Sequence, residues 1–477
     1  MKLRTSLLSV IVVVLVVAVA VAGIAFRTRI AHAATSPCAG TPMTGSIDGA
    51  QYQIEVPANW NGTLFLYSHG YRFPGANPGQ DAGDPITEAA MLAQGYALAG
   101  SGYSTTGWAL QQAFHDQIAL LDFFGATCGH PSRTIAWGHS LGGIITAGLV
   151  QLNPDRFAGA LPMCGVVAGG VGTWNQALDS SFVFSTLLAG GTLPIVNLPQ
   201  NPAALNADFG QALGVLSTAQ KTAQGRARIA LAAAMADIPG WFAPLSPEPD
   251  SADVEAQVAN QIAWENQPDL FFAYFGRAEL EFRAGGNPSW NTGINYNAQL
   301  AHSVDRNEVI ALYQKAGLDL QADLDTLNNA PRIAANPSSV DYLSQYVTFD
   351  GDLGSTPVLT MHTTGDGLVE NEDERTYSHV VDRAGDPTML RQIYVHRAGH
   401  CTFTPAETLT AVNTLLHRLA TGRWSNVNDV DGLNGAASAL GSSLNVFAVG
   451  GNTIHVDPAF INFQPALFLR PFTAFDQ

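Results

Sequence analysis

The chain has 477 residues, 47% of them apolar, 9% aromatic and only 13% charged. That composition excludes a disordered or fibrous chain and leaves room for one large domain, or one domain carrying a big insertion. Asp and Glu outnumber Lys and Arg by 39 to 22, a net charge of −17, which disfavours nucleic acid and anionic membranes as partners and favours neutral or cationic substrates.

Lys2 and Arg4 precede an almost wholly apolar run, Leu7 to Phe26, and the small residues of Ala31-His32-Ala33 follow. This order predicts a signal peptide over 1–33, hence a secreted, extracellular protein with no stable membrane association after cleavage. The competing reading is an uncleaved anchor, because the run approaches the ~20 residues that span a bilayer. Cleavage removes Lys2, Arg4, Arg27 and Arg29, leaving 18 basic against 39 acidic side chains, a net of −21. The four cysteines, Cys38, Cys128, Cys164 and Cys401, all lie in the exported part. An even number in an oxidising compartment predicts two disulfides, with three pairings open.

From Gln51 to Gly165, short β-branched or aromatic runs alternate with helical stretches: strands at Tyr52–Val56, Thr63–Ser68, Tyr96–Ala99, Thr134–Trp137 and Gly159–Met163. Leu110, Phe114, Ile118, Leu121 and Phe124 have helical spacing, so a mostly parallel sheet with crossover helices is expected. Between Gly170 and Gly354 strand signals nearly vanish. Helices are predicted at Arg226–Ala236, Ala252–Trp264, Leu270–Phe282 and Asn307–Leu327, which reads as a helical insertion. Alternation then resumes with a strand at Pro357–Thr363, a helix at Glu372–Ala384, a strand at Leu390–His396 and a helix at Ala406–Ala420. Thr404-Pro405-Ala406-Glu407 gives that last helix a capping-box start. The expected division is a core of 34–169 and 355–423, a helical cap of 170–354, and a C-terminal extension, 424–477, packed on the core. Asp429, Asp431 and Gly432 lack the ligand spacing of a calcium loop, and no metal or organic cofactor is expected.

The sharpest motif is Gly138-His139-Ser140-Leu141-Gly142, a G-x-S-x-G pentapeptide between a strand and an apolar helical run. A sharp strand-to-helix reversal around an exposed serine needs small neighbours. Serine is a weak nucleophile, so a base must take its proton and an acid must orient the base. Asp366 follows one strand on Gly365-Asp366-Gly367 and His400 follows the next on Gly399-His400, both at strand ends where open sheets place their sites. Asp352, Glu370, Glu372 and Asp373 compete for the acid's role; Asp366 stands closest past its strand. Of the 12 histidines, His139, His396 and His417 read as structural. For the oxyanion, the N–H of Leu141, after the nucleophile, and that of Tyr71, in His69-Gly70-Tyr71, are the candidate donors.

With Ser140, Asp366 and His400 in that chain order, the sequence resembles the α/β-hydrolase family over roughly 50–170 and 355–420. The resemblance implies an α/β fold with an eight-stranded, mostly parallel sheet, a large helical cap over the serine, and serine-hydrolase chemistry of the esterase or lipase kind. His400-Cys401 is similar to the His-Cys part of the tannase and feruloyl esterase pattern, in which a disulfide links the neighbours of Ser and His, although here His139 precedes Ser140. Cys164 ends the strand after the nucleophile helix, so Cys164–Cys401 would tie down the His400 loop and leave Cys38–Cys128 as the second pair.

Trp174, Trp241, Phe242, Trp264, Phe271, Phe272, Tyr274, Phe275 and Trp290 are read first as the cap's own core and second as a wall for an apolar or aromatic substrate. Arg277, Glu279, Glu281 and Arg283 are expected to form surface ion pairs. The expected reaction is hydrolysis of a neutral or cationic carboxylic ester through an acyl-serine. Its rivals are a serine peptidase or amidase, which a substrate amine bound in an acidic cap pocket would favour, and a noncatalytic binding protein, which has no need of all three residues.

Overall fold

The computed structural model describes residues 36–449 and 452–475; the expected signal peptide lies outside the described residues. Runs such as Thr63-Leu-Phe-Leu-Tyr-Ser68, with every side chain buried, are strands covered on both faces. They build one sheet from β1 (Met43–Ile47), β2 (Ala50–Glu55), β3 (Thr63–Ser68), β4 (Ala97–Ser101), β5 (Arg133–His139), β6 (Gly159–Met163), β7 (Val358–Gly365) and β8 (Leu390–Ala398). The spatial order is β1-β2-β4-β3-β5-β6-β7-β8. Strands β3 to β8 pair in parallel, whereas β1 and β2 are antiparallel at one edge. This is the α/β-hydrolase sheet. Order reverses between β3 and β5, so a crevice opens at their carboxyl ends.

Alternation along each strand feeds two layers. Leu64 and Leu66 face a core shared with α2 (Leu110–Cys128) and α3 (Leu141–Leu152), while Phe65 and Tyr67 face α1 (Pro85–Ala93), the period of two that a pleated strand imposes.

Between β6 and β7 run α4 (Gly170–Ala189), α5 (Pro202–Ala219), α6 (Ala223–Ala233), α7 (Val254–Trp264), two π-helical turns over Glu265–Asp269 and Phe272–Gly276, α8 (Arg277–Ala284), α9 (Tyr296–His302), α10 (Arg306–Ala316), α11 (Leu320–Asn329) and α12 (Pro337–Gln345). Phe184, Leu216, Ile229, Val258, Leu312 and Leu327 belong to a separate apolar core there. The single helix expected over Asn307–Leu327 is two, because Gly317 adopts φ +66° at the end of α10 and Asp319 caps α11. The expected helix Leu270–Phe282 is π-helical in its first part. Helix α4 escaped periodicity because it is buried nearly all round, which erases the amphipathic signal.

After α13 (Glu372–Ala384) and β8, α14 (Pro405–Thr421) begins with the expected capping box. Beyond it come α15 (Val430–Ala439), a hairpin of β9 (Val446–Val449) and β10 (Asn452–His455), and β11 (Phe460–Ile461), which adds a short antiparallel edge to β8. Among the described residues no helix is long and apolar enough to cross a membrane.

Glu407 closes the start of α14 from three sides. Its carboxylate accepts Thr404 N–H at 2.8 Å and Ala459 N–H at 2.9 Å, and Arg397 donates to both oxygens at 2.7 and 3.0 Å. Both partners of this ion pair are buried. Glu407→Ala leaves the Arg397 charge stranded, so the chemical-denaturation midpoint should fall by the equivalent of about 3–5 kcal/mol; a loss below ~1 kcal/mol contradicts the assigned role.

Candidate active site

Strand β5 runs straight into Ser140, whose backbone sits at φ +59°, ψ −127°, and α3 starts at the next residue. A non-glycine residue there is strained by roughly 1–3 kcal/mol, and the surroundings hold it. Ser140 N–H donates to Met163 O at 3.0 Å. A Cβ on Gly142 would lie 1.9 Å from Ser68 O, and one on Gly138 would lie 2.5 Å from the same atom. The two glycines of the pentapeptide are therefore there for close backbone approach.

The ends of β7 and β8 bring the other two candidates to this serine. His400 Nε2 is 2.8 Å from Ser140 Oγ, and His400 Nδ1 is 2.8 Å from Asp366 Oδ2. Asp366 is wholly buried, and its Oδ1 accepts the N–H groups of Leu368 and Val369, each at 3.1 Å. Burial alone would raise its pKa, yet the imidazoles of His400 and His362 beside it hold the carboxyl well below the usual carboxylate range. It stays ionised, as an acid that orients an imidazole must.

His362 was not foreseen. It is buried beneath Asp366, with Nε2 donating to Val369 O at 2.9 Å and lying 3.6 Å from Asp366 Oδ2, and with Nδ1 3.3 Å from Glu374 Oε1. Burial opposes its charge, but Asp366 and Glu374 raise its pKa well above the ordinary value. Both ring nitrogens face acceptors, the arrangement of an imidazolium. The signal available in the sequence was a histidine in the middle of a strand otherwise made of Val, Leu, Met, Thr and Gly.

Cys164 and Cys401 form one disulfide and Cys38 and Cys128 the other, the pairing expected from placement. Cys401 follows His400 directly, and its Sγ is 3.4 Å from His400 Nε2.

Tyr71 and Leu141 line the same cavity as Ser140, and among the described residues neither backbone N–H has a hydrogen-bond partner. Gly70 approaches so closely that a Cβ on it would be 3.2 Å from Ser140 Cβ. His69 stacks on Tyr103 with ring centroids 4.1 Å apart, and Tyr103 OH donates to His69 O at 3.1 Å, fixing this turn. Burial, then the charge of Arg72, pushes His69 down to about 4. His139 accepts from Tyr67 OH at 3.0 Å and is also pushed down to about 4, by burial and then by His400, consistent with a structural part.

The cavity has a volume of about 130 Å³. Trp174, Phe272 and Tyr274 line it, together with Trp108, Phe184, Glu265, Asp269 and Glu370. Phe242 and Trp264 instead pack edge to face on each other, and Phe271 and Phe275 pack against Phe209. The expectation of surface ion pairs on α8 fails for Arg277 and Glu281. Arg277 is fully buried over the Trp174 ring and donates to Ser289 Oγ and Trp174 O. Glu281 is buried and accepts Asn197 and Leu198 N–H. Only Glu279 and Arg283 pair, and Glu279 also accepts Trp108 N–H at 2.9 Å. The face of the helix that carries Arg277 and Glu281 is covered by other elements, so those two charges have no solvent to meet.

Removing the Cys164–Cys401 bond frees the loop that holds His400 against Ser140. A Cys164→Ala/Cys401→Ala variant should keep its circular-dichroism spectrum, while fluorophosphonate labelling of Ser140 slows by about 10²-fold, the scale of an ångström-level misplacement. Unchanged labelling contradicts the role given to this disulfide.

No protein-family model matches the chain. An o-phthalyl amidase from Xanthobacter agilis is 30% identical over 422 residues, which cover 82% of this chain and 90% of that protein. Among solved structures, an esterase from Aspergillus oryzae covers 80% of this chain and 79% of its own, with 14% identity and a TM-score of 0.39. Feruloyl esterase B from Aspergillus oryzae covers 81% of each chain, with 14% identity and a TM-score of 0.35. Those two likenesses are too distant to carry meaning for function. The sheet order and the long amidase match stand on their own, and the chain is an α/β-hydrolase that belongs to the family of the Xanthobacter agilis o-phthalyl amidase.

Proposed function

We propose that the chain is a secreted serine hydrolase that cleaves carboxylic esters or amides through an acyl-Ser140 intermediate. The observation that carries this reading is the hydrogen-bonded line Ser140–His400–Asp366, with both links at 2.8 Å. His400 Nε2 takes the proton of Ser140 Oγ as that oxygen attacks the substrate carbonyl. The N–H groups of Leu141 and Tyr71 meet the oxyanion. His400 then gives the proton to the departing oxygen or nitrogen. In the second half, water loses a proton to His400 and attacks the acyl-serine, releasing the acid and restoring Ser140. Asp366 remains ionised throughout and holds the imidazole tautomer, with His362 supporting it from below. Export agrees with two disulfides, which persist in oxidising compartments.

The sequence pointed first to esters. The amidase relative favours an amide substrate, and the same three residues serve both reactions, because His400 Nε2 faces the position from which a leaving nitrogen is protonated. Carboxyl groups in the cavity wall also match the feature that would favour an amide- or peptide-cleaving enzyme.

Turnover of p-nitrophenyl esters, aryl anilides and an o-phthalyl amide by the mature protein separates these substrates. Ser140→Ala should fold normally and lose about 10⁶-fold in kcat, and Asp366→Asn about 10⁴-fold. Retained turnover in the serine variant would sink the mechanism. Greater kcat/KM on the amides than on the matched esters assigns an amidase; the reverse assigns an esterase.

A further inference from the structure

The cavity that opens on Ser140 has an unusual wall. Trp108, Trp174 and Phe272 give it aromatic surface, yet Glu265, Asp269 and Glu370 place three carboxyl groups in it, and no Lys or Arg stands among its lining residues. Glu265 is only 4% exposed and Glu370 only 8%. A buried carboxyl without a counter-charge is costly, so its surroundings should supply a partner. Here they do not. Among the described residues, Glu370 has no side-chain partner and interacts only with its own backbone N–H. Asp269 Oδ2 is buried with no hydrogen-bond partner. Glu265 has one long contact, 3.4 Å from Ser180 Oγ.

Two other buried acids nearby each have one short hydrogen bond, although the second oxygen of each has no partner. Asp373 accepts Ala168 N–H at 2.8 Å, and Asp237 accepts Ser303 Oγ at 2.8 Å. The fully buried cation of the region, Arg277, is engaged with Ser289 and Trp174. Among the described residues, none of the three acids that line the cavity has a hydrogen bond to another residue as short as those of Asp373 and Asp237.

We infer that this cavity is the subsite for a cationic group of the substrate, an ammonium, amidinium or guanidinium, held by Glu265, Asp269 and Glu370 between aromatic walls. The inference rests on the serine-hydrolase reading of Ser140 and names the substrate class for it. Carboxylates supply charge-assisted hydrogen bonds to such a head, and aromatic faces attract a desolvated cation. A volume of about 130 Å³ is close to the ~150 Å³ engineered cavity that takes up benzene, so one small ring or a short chain with a cationic head fits. Burial pushes Glu265 up to about 7, and burial reinforced by neighbouring acids raises Asp269 and Glu370 well above the carboxylate range.

Three probes of one shape and different charge test this: benzamidine, benzamide and benzoate, each used to slow fluorophosphonate labelling of Ser140 in the mature protein. Benzamidine should bind at least about tenfold more tightly than benzamide, the scale of one hydrogen bond to a charged group, and benzoate should bind weakest. Equal protection by benzamide, or better protection by benzoate, overturns the inference, the latter because protonated acids would then be donors to an anion. Glu370→Gln combined with Glu265→Gln should abolish most of benzamidine's advantage over benzamide. The comparison on the unaltered protein stands whether or not that variant folds. Calorimetry of the same three probes with Ser140→Ala reports the subsite without the chemistry. Absent labelling alone would thus sink the hydrolase reading, and absent cation preference in calorimetry would sink this one.

Discussion

The site depends on one strained residue. Ser140 is held at positive φ because β5 must stop and α3 must start within a single residue, and that geometry lifts Oγ out of the sheet toward the carboxyl ends of β7 and β8. Its cost is met by packing around it: Ser68, His69 and the start of α3 approach so tightly that Gly138 and Gly142 have no room for a side chain. Every other element of the site is arranged to meet the oxygen where this turn leaves it.

The partners arrive by parallel-sheet logic. Strands β7 and β8 run beside β6 and continue past the level at which β5 ends, His139 lying level with Met163, Met361 and Ile393, so the residues just past them, Asp366 and His400, reach Ser140 although 34 and 260 positions separate His400 from Asp366 and Ser140. Rigidity comes from behind the site. The Cys164–Cys401 bond joins the end of β6 to the His400 loop, Arg397 and Glu407 lock the turn that follows it, and His362 with Glu374 forms a buried ionic base under Asp366. These devices leave His400 partly open, with 18% of its side chain exposed, beside the half-buried Ser140, where a substrate must reach both.

Much of this was legible in the sequence, for definable reasons. The G-x-S-x-G pentapeptide, the glycines flanking Asp366 and the Gly399-His400 pair are local signals, each tied to a backbone constraint at a strand end. The capping box of α14 was legible for the same reason. What was not legible depends on long-range packing. Helix α4 is buried on all sides and shows no periodic face; Arg277 and Glu281 looked like a solvent-exposed charge pattern until neighbouring elements enclosed them. His362 and the cavity acids Glu265 and Asp269 gain their character only from burial and from groups distant in the chain. Glu370 was noticed as a rival to Asp366, yet the structure turns it toward the cavity instead.

The central claim is that a covalent acyl group passes through Ser140. Acid quenching during turnover of a p-nitrophenyl ester, followed by peptide mass mapping, tests it most directly. The account predicts that the acyl mass appears on the peptide containing Ser140, that it is absent in Ser140→Ala, and that it accumulates in any variant that slows deacylation through His400. Turnover with the acyl group on another residue, or a Ser140 peptide that stays unmodified while a slow-deacylating ester is consumed, would contradict it.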